Sequence, residues 1–169
     1  MIMNTISKPI YLIPYVCIIT QMISCADNKS GIGTTRQHKS EIFERGEQLS
    51  PDLITGRAWH NKLFDEDSLY TTAIGVEEFE PGSRNVWHSH PSGQIIIILD
   101  GVGYHQIKGE AVEVLRKGDV TKCPPGVLHW HGASKDRSVT QIYILPNTEK
   151  GLAEWAERVT DEEYNDKVE

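Results

Sequence analysis

Cysteine is nearly absent from this chain: Cys17, Cys25 and Cys123 are the only three in 169 residues. Two of them lie in the N-terminal apolar stretch, so Cys123 stands alone in the remainder. No disulfide can staple that part, and its own core must hold it. Basic residues are also in short supply, 17 Lys and Arg against 24 Asp and Glu, for a formal charge of −7. No local Lys/Arg cluster reverses the sign, and a nucleic-acid partner, which needs a basic face, is excluded. There is no internal repeat and no long helical apolar pattern. The longest apolar stretch, residues 9–23, contains two prolines and is too short for a comfortable membrane span. What remains, 38% hydrophobic and 24% charged, suits one soluble domain with length enough for a real core.

The N-terminal stretch "MIMNTISKPIYLIPYVCIITQMISC" places a single Lys8 ahead of the apolar residues and reads as a secretory signal peptide over 1–25. Ser24-Cys25 after Met22-Ile23 resembles the cleavage box of bacterial lipoproteins, in which Cys25 is lipidated and becomes the new N-terminus. Residues 26–41, rich in Gly, Ser and Thr, read as a flexible tether, and 42–169 as the folded domain. The expectation is a protein secreted across the bacterial inner membrane, periplasmic or membrane-anchored, touching the membrane only through a lipid at Cys25.

From Ile42 to Leu145 the dominant period is two, punctuated by glycine and proline. Expected strands are Tyr70–Phe79, Val86–His90, Gln94–Leu99, Val102–Ile107, Ala111–Leu115, Asp119–Cys123, Leu128–His131 and Val139–Leu145. The breaks "EPGS", "PSG", "DG", "KGE", "RKGD", "PPG" and "SKD" supply the turn chemistry between them. Many short strands in one domain predict an all-β fold, a small antiparallel barrel or jelly roll with its core at about 70–145. In "QIIIIL" continuous Ile predicts two dry faces, the outer one covered by a second sheet, the N-terminal segment or a second copy in a homodimer. Leu152, Trp155 and Val159 recur at helical spacing and predict a short C-terminal helix packed on the barrel.

Residues two apart on a strand share a face, so in "WHSHPSGQ" His88 and His90 project together, and Gln94 opens the next strand beside them. "PPGVLHWHG" supplies His129 and His131 in the same way. Several imidazole nitrogens and one amide oxygen converging in a barrel make a first-row transition-metal site. Two readings of Gln94 stay open: a direct ligand, or an amide that orients a histidine. His131 is a general base or orienting group, or else a histidine closing a turn. Gln141 and Tyr143 read as pocket lining for a small-molecule substrate, while Trp87 and Trp130, on the opposite parity, read as packing. Cys123 reads as an inert buried thiol. His38, His60 and His105 carry no signal.

Two spaced motifs carry a resemblance to the cupin family. In "PGSRNVWHSHPSGQIIIILDG", Gly82, His88-x-His90, Gln94 and Gly101 stand at the spacing of the first cupin motif; in "GDVTKCPPGVLHWHG", Gly118, Pro124-x-Gly126 and His129 stand at that of the second. The resemblance runs from Ile54 to about Asn165 and implies His88, His90, Gln94 and His129 as metal ligands. Gln94 stands where the first motif usually has Glu, and Ala133 where the second often has Asn. With "HWHGA" and "EWAERVTDEEYN", the chain is similar to manganese-dependent hydroxynitrile-lyase-like cupins, the (R)-mandelonitrile-lyase-like group, whose Mn²⁺ is held by three His and one Gln. That implies one divalent ion, Mn²⁺ first, with Fe²⁺ or Zn²⁺ suited to the same donors. In that group a histidine commonly follows Thr on the last barrel strand; here Thr140 is followed by Gln141, which can hydrogen-bond but cannot carry a proton. Four neutral donors leave the full +2 on the ion and favour Lewis-acid chemistry. The expected activity is a metal-dependent lyase with His131 as base. A metal-dependent dioxygenase acting on an enol, and a non-enzymatic binding protein whose metal holds a small molecule, are the alternatives.

Overall fold

The period-two segments fold into strands paired only in the antiparallel sense. A computed structural model describes residues 43–64 and 66–165. The expected signal peptide, Cys25 and the tether lie outside the described residues. In chain order the strands are β1 (Glu47–Gln48), β2 (Ile54–Thr55), β3 (Ala58–Phe64), β4 (Thr72–Phe79), β5 (Arg84–Asn85) and β6 (His88–Ser89). They continue with β7 (Gln94–Ile107), β8 (Glu113–Arg116), β9 (Val120–Cys123), β10 (His129–Ala133), β11 (Val139–Pro146) and β12 (Glu154–Trp155). One sheet runs β1-β3-β4-β11-β7-β9; the other runs β2-β5-β10-β7-β8, with β6 paired to β10 and β12. The curled sheet closes as a half-barrel around its inward side chains.

The Asp100-Gly101 break was expected to separate two strands, and it does not. β7 is one 14-residue strand that passes from the first sheet into the second at this point. The register against β11 slips between Thr140 and Gln141, the mark of a bulge. Gly101 sits at φ 81°, and a Cβ there would lie 1.9 Å from the Ser138 carbonyl oxygen, so glycine is required. β3 was not foreseen at all. Of the strand expected over Val86–His90 only His88–Ser89, β6, forms, paired with β10 and β12; Arg84–Asn85 just before it forms β5, paired with β2 and β10.

Phe79, Ile96, Ile98, Leu115 and Val139 form the barrel core. Ile95, Ile97 and Leu99, on the other face of "QIIIIL", are only half-buried, so the described residues do not cover that face completely. Trp87 and Trp130 fill a second cluster with Tyr104, Val159 and Tyr164. The C-terminal expectation needs correcting: Leu152–Val159 is not helical but contains β12, and the helix, α1, is Asp161–Asn165. Its start is a reciprocal cap, the Glu163 N–H donating to Thr160 Oγ1 and the Thr160 N–H to Glu163 Oε2. The Tyr164 hydroxyl donates to the Ala133 carbonyl at 2.8 Å and fastens the helix to β10.

Candidate metal centre

β6 and β10 lie side by side with His88 opposite His129, so the two histidine pairs of the sequence meet across one ladder. The turn at Pro91-Ser92-Gly93 then brings Gln94 back beside them. Gly93 has φ 77°, and a Cβ there would lie 2.6 Å from the Cys123 carbonyl oxygen, so only glycine makes that approach.

One nitrogen from each of His88, His90 and His129, able to hold a metal ion, lies within 4.8 Å of the other two, and all three residues are buried. Each ring is oriented by a backbone carbonyl accepting from Nδ1: Val86 for His88 and Val127 for His129, both at 2.9 Å, and Leu152 for His90 at 2.6 Å. With Nδ1 protonated, each Nε2 carries a lone pair. His90 Nε2 is buried with no hydrogen-bond partner. His129 Nε2 faces Gln94 Oε1 at 3.2 Å, one lone pair against another with no proton between them. A shared cation resolves both features, so this donor set fits a divalent metal. Burial lowers the pKa of all three rings, that of His129 to about 4, which keeps them neutral near pH 7. The Cys123 thiol donates to Gln94 Oε1 at 3.7 Å and is in turn 3.2 Å from His105 Nε2. Burial pushes that thiol up to about 12, as befits the inert role expected for it.

The histidines open on a cavity of about 270 Å³. His88, His90 and Gln94 line it, with Leu49, Leu53, Ile54 and Leu145 among its apolar walls. The indole of Trp155 leans over His88 at 5.2 Å between ring centres. His129, fully buried, is not part of the cavity lining and stands behind the others.

The remaining expected site residues separate. Tyr143 lines the cavity, its hydroxyl 2.7 Å from His60 Nε2. Gln141 is 1% exposed and lies behind the wall, its Nε2 donating to Glu77 Oε2 at 3.0 Å and lying 2.8 Å from His131 Nδ1. His131 lines the cavity, but both ring nitrogens lie against amides. Asn85 Nδ2 is 3.0 Å from Nε2, and Gln141 is at Nδ1. Burial and the neighbouring histidines hold its pKa well below the usual imidazole value.

Glu77, Asn85, His60 and Trp155 line the cavity and were missed. Glu77 was within reach of sequence reasoning, because in "AIGVEEF" it shares the parity of Ala73 and Phe79, both core residues. It pairs with Gln141 on one side and His60 on the other. Burial raises its carboxyl pKa to about 7, against a smaller opposing effect of the Gln141 hydrogen bond.

Known proteins bear on this arrangement. The cupin-domain family model matches residues 75–144. An "(R)-mandelonitrile lyase" of Granulicella tundricola is 38% identical over 128 residues, covering 73% of this chain and 98% of that one. A cupin-like protein from Thermotoga maritima superposes with a TM-score of 0.72 at 45% identity, covering 74% of this chain and 95% of that one. A DMSP lyase from Ruegeria pomeroyi shares the fold at a TM-score of 0.53 and 20% identity, over 68% of this chain and 59% of that one.

Proposed function

The chain belongs to the cupin family, and on that premise we propose that it is a metal-dependent lyase for small hydroxynitriles. The observation that carries this reading is the neutral donor set: three imidazole Nε2 atoms and the Gln94 amide oxygen, gathered beside a small, largely apolar cavity. The kinship with a protein named (R)-mandelonitrile lyase supplies the substrate class.

His88, His90, His129 and Gln94 would hold one divalent ion, Mn²⁺ by this reading. When bound, that ion supplies Lewis acidity to a substrate hydroxyl without an anionic ligand to weaken it. The chain does the rest. Leu49, Leu53 and Ile54 give an apolar substituent a dry surface, and Trp155 closes over His88. Breaking the bond between the carbinol carbon and the nitrile carbon requires the hydroxyl proton to leave and a proton to reach cyanide. The polar wall that faces this exchange holds His131 and Glu77.

Metal analysis of the purified protein, followed by cyanide release from mandelonitrile, tests the proposal. Release that follows Mn²⁺ content supports it; a fully loaded protein that releases no cyanide from a panel of aliphatic and aromatic hydroxynitriles refutes it. The same reading extends to a homodimer covering the half-buried Ile95 and Ile97 face, and to export with a lipid on Cys25. Sedimentation and mass analysis of the mature N-terminus test these.

A further inference from the structure

Glu77 is a carboxylate on the wall of an apolar cavity, and His131 Nδ1 lies 3.9 Å from its Oε2. Resting on the lyase reading above, we infer that Glu77 is the catalytic acid–base of this cavity and that His131 is its positioning residue. Three observations carry the inference.

The first is access. Glu77 lies on β4 at the inward parity and lines the same cavity as His88, His90 and Gln94. Oε2 is taken by Gln141, which leaves Oε1 as the acceptor for a ligand.

The second is that His131 is committed. Asn85 Oδ1 accepts from the His131 backbone N–H at 2.9 Å, and this turns Asn85 Nδ2 toward the imidazole as a donor. The closer ring nitrogen is Nε2, at 3.0 Å, so Nε2 is the acceptor and Nδ1 carries the proton. Neither nitrogen is left to take a proton from a substrate.

The third is the amide between them. Gln141 Nε2 lies 3.0 Å from Glu77 Oε2 and 2.8 Å from His131 Nδ1, so its NH₂ serves a carboxylate on one side but meets the Nδ1–H on the other. Turned over, its oxygen accepts both the His131 Nδ1–H and the proton of a neutral Glu77 carboxyl. His131 thus biases Gln141 toward the setting that suits protonated Glu77, against the one that suits the carboxylate. The other ionisable groups lining the cavity are His60, hydrogen-bonded to Tyr143, the Lys62–Glu66 pair, His88 and His90. Burial raises this carboxyl toward neutrality, where a group can both take and give a proton, and a cation in the site acts in the opposite sense.

In the reaction, the Glu77 carboxylate takes the hydroxyl proton of the hydroxynitrile. The carbon–nitrile bond breaks, its electron pair leaves with cyanide, and the carbonyl forms. Glu77 then gives its proton to cyanide, releasing hydrogen cyanide and restoring the carboxylate. One hydroxynitrile yields one carbonyl compound and one HCN, with no net proton.

The test is Glu77→Gln in the metal-loaded, full-length protein, with benzyl alcohol as a hydroxyl probe that cannot be cleaved. Expected are unchanged metal content and a fall in kcat for mandelonitrile of roughly 100-fold or more. In wild type, an infrared carboxyl band should titrate and benzyl alcohol affinity should rise with pH as the carboxylate forms; both signals should vanish in the variant. Activity within about threefold of wild type in Glu77→Gln, or a carboxyl band and probe affinity that do not respond to pH, overturns the inference. If wild type cleaves no hydroxynitrile, the lyase reading fails, and the infrared and benzyl alcohol titrations still decide whether Glu77 exchanges a proton with a bound hydroxyl.

Discussion

Replacing Glu77 with glutamine should stabilise the metal-free protein at alkaline pH and leave it nearly unchanged in acid. The cause is the burial that raises this carboxyl from 4.5 to about 7. A folded-state pKa above the unfolded value means that the folded chain retains a proton the unfolded chain has released. The group's contribution is therefore fully present below pH 4.5 and is lost as pH rises through 7. A shift of this size corresponds to about 3 kcal/mol, an upper bound because 14% of the side chain is exposed. Glutamine has no charge to bury, and it keeps the size and the polar contact with Gln141. The difference between Glu77→Gln and wild type should thus grow from near zero at pH 4.5 to about 3 kcal/mol at pH 8. In a domain of this size that amounts to on the order of 10 °C in Tm. Thermal unfolding after chelator treatment, followed by near-UV circular dichroism at pH 4.5 and 8, measures it. Chelation matters, because a cation in the site would favour the carboxylate and shrink the effect. A difference that is the same at both pH values, or a variant less stable than wild type at pH 8, refutes the reasoning.

Other consequences can be checked separately. His129→Ala removes one of three converging nitrogens and should cost at least about 100-fold in Mn²⁺ affinity, read by calorimetry, with circular dichroism confirming the barrel. The metal-free protein should lose stability as pH falls from 6.5 toward 4. The folded pKa values of His88, His129 and His131 lie below the unfolded value, so the unfolded chain takes up protons first. His129 alone accounts for about 3 kcal/mol at the acid end, and in Glu77→Gln, which removes the opposing effect of that carboxyl, the decline should be steeper. Gly101→Ala combines a φ of 81° with a Cβ 1.9 Å from a carbonyl oxygen, and should cost about 3 kcal/mol or more in urea unfolding.

How much of this was legible depended on whether the signal was local. Period two and turn residues revealed most of the strands from Thr72 to Pro146, because alternation and tight turns are properties of neighbours in sequence. The histidines of the candidate metal site were legible for the same reason: His88 and His90 share a face, as do His129 and His131, and the two spaced motifs stood in for the long-range ladder that sets His88 opposite His129. The continuous β7 was not, because "DG" flanked by apolar residues signals a hairpin, whereas the strand runs on past Gly101 and exchanges partners, β11 before it and β10 after it. Leu152, Trp155 and Val159 matched a helical period by coincidence. That stretch is held extended by pairing with β6, by the Leu152 carbonyl that orients His90, and by a backbone bond from Trp87 to Glu157. Such tertiary contacts override a weak local preference.

The distribution of charge around the cavity connects the site to its chemistry. A carboxylate in place of Gln94 would bring its negative charge into contact with a bound divalent ion and weaken it as an acid. Here the amide takes that position, with its oxygen fixed by the Cys123 thiol. The cavity nevertheless keeps a carboxyl group, on β4 at Glu77, one strand away from Gln141. Moving the anion off the donor set and onto the facing wall separates two functions that one glutamate would have to combine. The donor set can hold an undiminished cation, and the wall retains a group able to change its protonation near neutral pH. This separation also explains the neighbours. Gln141 is a poor proton carrier but can turn its NH₂ or its oxygen toward Glu77, and His131, between two amides, biases that choice. Gln94, Gln141 and Glu77 are therefore one arrangement. Restoring Glu at position 94 should tighten metal binding and, with the ion's acidity reduced, slow the reaction.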